Sequence, residues 1–151
     1  MDLTNKNVYL VTAMEQDKIS RVLLSWLNEY PGLPVRINYE FLGDGVPSMA
    51  LSSIQGATKT KRYITGGYDA QYQFKLIYRV QPGVSNDSRL SADEDLDAIG
   101  DWACSRADLP DLGVGISCLR IESNARSSLF GRYENGDEDH QILMTMTYEV
   151  I

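Results

Sequence analysis

The lone histidine is the first place to look for chemistry, because it sits in the run Asp137-Glu138-Asp139-His140. Carboxylates beside an imidazole can hold a divalent metal or work as an acid–base pair. The spacing argues against both. Calcium loops need ligands at regular intervals around an internal glycine, and zinc needs more His or Cys than this chain offers. No nucleophile motif accompanies the histidine. The run is therefore expected to be a polar hairpin end ahead of the last strand. Gly43-Asp44-Gly45 and Gly113-Val114-Gly115 stop at GxG and lack the strand–helix setting of a nucleotide cradle. No GxxxxGK[ST], GxSxG or HExxH occurs. Cys104 and Cys118 are too few for a disulfide framework or zinc site and are expected to be free thiols in a reducing compartment. The expectation is a protein without catalytic residues, cofactor or metal.

Charge narrows the partners. The net charge is −7, against the Lys/Arg clustering that gripping a phosphate backbone requires. Lys59, Lys61 and Arg62 form the only dense basic cluster. Threonines around them suit an exposed strand, so they serve as a partner contact or as edge lysines that discourage stray sheet pairing. A nucleic-acid module built on this cluster and a metal-dependent hydrolase built on His140 remain the two weaker alternatives.

The elements that would position these residues are legible in the hydropathy period. Ile19, Val22, Leu23, Trp26, Leu27 and Tyr30 make one apolar stripe of a helix over 13–30, opened by Thr12 and Glu15 at capping-box spacing and stopped by Pro31-Gly32. A second helix is expected over 92–106, capped by Ser91 and Glu94, with Asp93 to Asp95 favoured by the dipole of its first turn. Its stripe is Ala92, Leu96, Ile99 and Ala103; Trp26 and Trp102 read as core aromatics. Elsewhere the period is two: over 35–41, over 68–80 and over 142–150, with weaker strands over 49–54, 60–65, 115–122 and 128–134. Gly66-Gly67 and Asn135-Gly136 are hairpin signals, the second suggesting a type I′ turn. No linker or repeat divides the chain, so residues 1–151 are expected to be one α+β domain. Its sheet should be antiparallel, with room for a parallel pair, and both helices should pack on one face. No apolar run spans a bilayer, and the opening residues 1–6 lack an export signal.

Several strings together resemble a family of bacteriophage proteins: Trp26-Leu27-Asn28-Glu29-Tyr30-Pro31, Tyr39-Glu40-Phe41-Leu42, Ile54-Gln55-Gly56-Ala57, Lys61-Arg62-Tyr63-Ile64 and Tyr68-Asp69-Ala70-Gln71-Tyr72-Gln73-Phe74. Gly100-Asp101-Trp102-Ala103 and the closing Glu138-to-Tyr148 segment join them. The family is that of the minor capsid proteins akin to tail terminators of long-tailed, non-contractile phages. The likeness runs over about 14–150 and rests on the whole series. It implies a virion protein assembled in the host cytoplasm, a hexameric ring on the head-proximal end of the tail tube. Such a ring stops tube polymerisation, meets the head connector and lets genomic DNA pass; a neck or head-completion protein between portal and tail is the alternative. No catalytic residue comes with the resemblance. On this reading Lys59, Lys61, Arg62, Gln71, Gln73, Lys75, Ile77 and Arg79 are candidate subunit or partner contacts. Glu134, Asp137, Glu138 and Asp139 are candidate acidic residues of the bore.

Overall fold

A computed structural model describes residues 9–43 and 45–151. The opening segment and Asp44 of the Gly43-Asp44-Gly45 stretch lie outside the described residues. The elements are α1 (Ala13–Leu27), β1 (Ile37–Tyr39), β2 (Ser48–Arg62), β3 (Tyr68–Val80), α2 (Asn86–Ser105), β4 (Ile116–Ser123), β5 (Ser128–Arg132) and β6 (Glu138–Val150).

Helix α1 opens as its sequence predicts: the Thr12 hydroxyl accepts from the Glu15 amide at 3.2 Å. It closes at Leu27, short of Tyr30, because the Asn28 side chain takes over. Its amide nitrogen donates to the carbonyls of Leu24 and Ile37, each at 3.0 Å, while its oxygen accepts from Ile37 N at 2.9 Å. One side chain thus ends the helix and holds β1 against it.

Helix α2 begins six residues earlier than predicted, at Asn86. Ser85, not Ser91, is the cap and accepts from Ser88 N at 3.1 Å. The extra turns carry Asn86, Asp87, Ser88 and an exposed Leu90, so they contribute nothing to the apolar stripe that marks a helix in sequence. Asp93 to Asp95 consequently lie beyond the first turn, where the dipole no longer explains them.

The sheet is mixed, in the order β1-β2-β3-β6-β4, with β5 also on β6; β1 runs parallel to β2 and every other pairing is antiparallel. The two stretches expected over 49–54 and 60–65 are one strand, β2. A bulge at Gln55 (φ 61°) and Gly56 (φ 73°) interrupts its register with β3 between Ile54 and Thr58. Gln16 of α1 anchors the bulge, its Oε1 accepting from Ala57 N at 2.5 Å.

Alternation along β3 and β6 decides which face is core. Tyr72, Phe74 and Leu76 are fully buried, and Met146, Met144 and Ile142 stand opposite them on β6. Both helices cover this face. Ser20 of α1 hydrogen-bonds the Tyr72 hydroxyl at 2.8 Å, and Gly100 of α2 lies so close to Ile142 that a Cβ there would meet its Cδ1 at 2.8 Å. Each large side chain buried here contributes roughly 1.5–3 kcal/mol.

Both hairpin turns share a geometry that differs from the predicted type I′. Gly66 N donates to Tyr63 O at 3.0 Å and Tyr63 N to Gly67 O at 2.8 Å; Gly136, Tyr133 and Asp137 repeat the pattern at 3.0 and 2.9 Å. In the second turn positive φ falls on Gly136 (95°) and not on Asn135. These are three-residue loops in which the glycine supplies the left-handed position. The next residue in the first hairpin, Gly67, is glycine for a different reason. A Cβ on it would stand 2.5 Å from the carbonyl oxygen of Val150, a backbone atom with no freedom to retreat. Gly67→Ala is expected to cost about 2 kcal/mol, an overpacking penalty, measurable as a lowered urea midpoint. A midpoint equal to wild type would mean that the β3–β6 end is looser than this packing requires.

Candidate interaction surfaces

The face of the sheet away from the helices carries the predicted partner residues of β3. Gln71, Gln73, Lys75, Ile77 and Arg79 are all half-buried, and Thr147, Thr145, Leu143, Gln141 and Asp139 face them across β6. Glutamines and threonines make up half of these ten residues, and Lys75 is the one charge among them outside the Arg79–Asp139 pair. The Lys75 ammonium lies 5.5 Å from the ring of Phe130, an aromatic that is exposed here and not part of the core.

Lys59, Lys61 and Arg62 do not form a single flat patch. The register places Lys59 beside Ala70, Lys61 beside Asp69 and Arg62 beside Tyr68, so the cluster wraps both sides of the β2 border. Each cation lies over a tyrosine: Lys59 over Tyr68 at 4.6 Å, Lys61 over Tyr63 at 5.3 Å and Arg62 over Tyr9 at 5.7 Å.

Two of the acidic bore candidates, Glu138 and Asp139, need correction. Glu138 and Asp139 are each 2% exposed and so cannot line a bore in this fold. They belong to β6, not to a hairpin end. Asp139 turns to the open face, where Arg79 clamps it through Nε at 2.7 Å and a second nitrogen at 2.9 Å, and the Tyr133 hydroxyl donates at 2.7 Å. Arg79 is thereby committed within the chain. Glu138 turns to the helices and accepts from Arg89 Nε at 3.0 and 2.9 Å and from Arg132 Nε at 3.2 Å. The hydrogen-bonded Arg89 holds its carboxyl below the usual range, against the opposing effect of burial. Glu134 and Asp137 keep to the turn, Glu134 exposed and Asp137 half-buried with the Gln81 amide donating to it at 3.2 Å.

His140 is likewise a strand residue, 1% exposed. Its Nδ1 lies 2.8 Å from Asp93 Oδ1, the same oxygen that accepts from the Ser127 hydroxyl at 2.8 Å. The serine meets the carboxylate and not the imidazole, so the three do not make a nucleophile–base–orienter chain. What they do is structural. Asp93 and Asp97, whose carboxylate accepts from Ser127 N at 2.8 Å, tie the β4–β5 connection to α2. Among the described residues no group of three or more His, Cys, Asp or Glu is placed to hold a metal ion, and no helix is long and apolar enough to cross a membrane. Cys104 is exposed and Cys118 half-buried, both free; burial pushes the Cys118 thiol up to about 11.

Sequence reasoning missed two features. Glu15 accepts from the hydroxyls of both Tyr68 and Tyr148, the latter at 2.7 Å, which closes the N-terminus of α1 onto the sheet. Nothing in the spacing of Glu15, Tyr68 and Tyr148 announces this. The other is a line of exposed acids on α2, Asp87, Glu94 and Asp101, whose first member precedes the predicted start of the helix.

No protein-family profile matches the chain, and no curated protein sequence does. The fold does have a solved counterpart. A chain from a structure described as the virion of a native gene transfer agent particle matches with a TM-score of 0.51 and 14% identity, covering 97% of this chain and 98% of that one. At that identity the likeness establishes a shared α+β architecture along the whole length.

Proposed function

We propose that this chain is a structural virion protein: a tail terminator that forms a ring on the head-proximal end of a phage tail tube. The observation that carries the reading is the correspondence with a chain of a gene transfer agent virion, over 97% of this chain and 98% of that one. The series of phage-like strings in the sequence points the same way. In the proposed ring the tail tube lies below, the head connector above, and DNA passes through the middle. Six copies at −7 each would repel a duplex bearing about one charge per 1.7 Å, which favours passage over sticking.

The expected result is an assembly of six 16.9 kDa subunits by mass photometry, alone or on addition of tail-tube protein. Deleting the gene should yield tails of uncontrolled length. Normal tails beside unjoined heads would instead favour a neck protein between portal and tail, and a strict monomer with normal virions would remove the reading.

A further inference from the structure

The two borders of the sheet differ in charge. At one border stand Lys59, Lys61 and Arg62 on β2, and neither lysine pairs with a carboxylate among the described residues. Exposed Tyr9, Leu10 and Met14 adjoin them, since Leu10 bridges Thr58 beside Lys59. At the other border lie β4 and β5, with α2 packed over β4 and β6. The segment from Asn86 to the end carries fourteen acids against five arginines. Asp87, Glu94 and Asp101 follow one another at seven-residue spacing, two turns apart, and all three are exposed. They lie on the side of α2 away from its buried stripe of Ala92, Leu96, Ile99 and Ala103. Asp101 has a surface partner in Arg126 at 3.1 Å; Asp87 and Glu94 have none among the described residues. Leu90, 60% exposed, sits within this line.

A basic border with apolar neighbours and an acidic helix surface with an exposed leucine are unlike surfaces at different places on one molecule. Such a pair suits a head-to-tail contact, which closes into a ring when the rotation allows. Apolar contacts inside a charged rim are the usual anatomy of such an interface, and opposite charge sets its register. We infer that the Lys59–Lys61–Arg62 border of one copy docks on the Asp87–Glu94–Asp101 line of α2 in the next copy. The inference rests on the ring reading and names the surfaces that close the ring.

Charge reversal on each side tests it. Lys59→Glu with Lys61→Glu makes both borders acidic, and Glu94→Lys with Asp101→Lys makes both basic. Each double variant alone should associate at least ~100-fold more weakly than wild type, because like charges meet at every contact. Mixed in equal amounts, the two should rebuild the assembly as an alternating ring, with equal numbers of each in native mass spectrometry. The wild-type ring should loosen as salt rises. Circular dichroism melts near the wild-type temperature establish that both variants are folded. If both variants form rings as readily as wild type, the ring reading stands and this interface is overturned. If folded variants lose assembly but mixing restores nothing, the pairing of these two surfaces is overturned. A wild-type chain that stays monomeric at millimolar concentration in low salt, with or without tail-tube protein, overturns both.

Discussion

Arg79→Met is expected to destabilise the fold by about 3 kcal/mol, the low end of the penalty for stranding one member of a buried ion pair. Asp139 has almost no access to water, being 2% exposed, and both of its oxygens are used by the Arg79 fork. Removing the fork leaves a carboxylate with one phenol donor, the Tyr133 hydroxyl. The low end applies because the Arg79 side chain is 26% exposed, so water can enter where it stood. Arg79→Lys should recover only part of the loss, since an ammonium cannot bond both oxygens in one plane. A second change, Asp139→Leu, should bring the Arg79→Met variant back toward wild type by removing the stranded charge. The cycle is read from urea unfolding at neutral pH. A loss below ~1 kcal/mol for Arg79→Met would place the pair among ordinary surface bridges and reopen Arg79 to a partner.

That pair also shows where reading from sequence stops. Alternation over 68–80 placed Arg79 on the open face of β3, and the structure agrees. But its exact partner is Asp139, sixty residues away, and period-two patterning says which face a residue takes, not what waits there. The closing acidic run reads as polar, which predicts an outside position. Glu138 and Asp139 are inside because β3 and α2 bring Arg79 and Arg89 to them, a tertiary fact. By contrast β3 is legible to its full length, since thirteen residues of near-strict alternation leave little choice of period. The start of α2 failed for the opposite reason. Its first turns carry no buried apolar residue, and only the Ser85 cap, three residues past Pro82, marks the true beginning. The surfaces followed the same rule. The basic border could be seen in sequence because its residues are adjacent, whereas the acidic line of α2 needs the helix itself to bring Asp87, Glu94 and Asp101 into register.

Alkaline pH should unfold this protein through its tyrosines, with Tyr72 making the part that can be isolated. Tyr72 is fully buried, and burial pushes its phenol up to about 12 from an ordinary value of 10.0. Tyr68 and Tyr148 are raised further in the same direction, by burial first and then by the Glu15 carboxylate that accepts from both. The sign follows from which state releases protons. Above pH 10 the unfolded chain ionises these phenols while the folded chain keeps them neutral, so the unfolded state gains. The stability they contribute is complete below pH 10 and falls as pH rises toward the folded-state value. For Tyr72 the gap amounts to about 2 kcal/mol by pH 12. Tyr72→Phe removes that liability but also breaks the bond to Ser20, which is 5% exposed and is left without this partner. The variant should therefore be less stable than wild type by about 1 kcal/mol at pH 8. Its loss of stability from pH 10 to 12 should be shallower by up to one proton, so the two urea-derived stability curves converge and cross. Parallel curves across that interval would show that Tyr72 titrates alike in both states, and that its environment is wetter than the packing of α1 on the sheet implies.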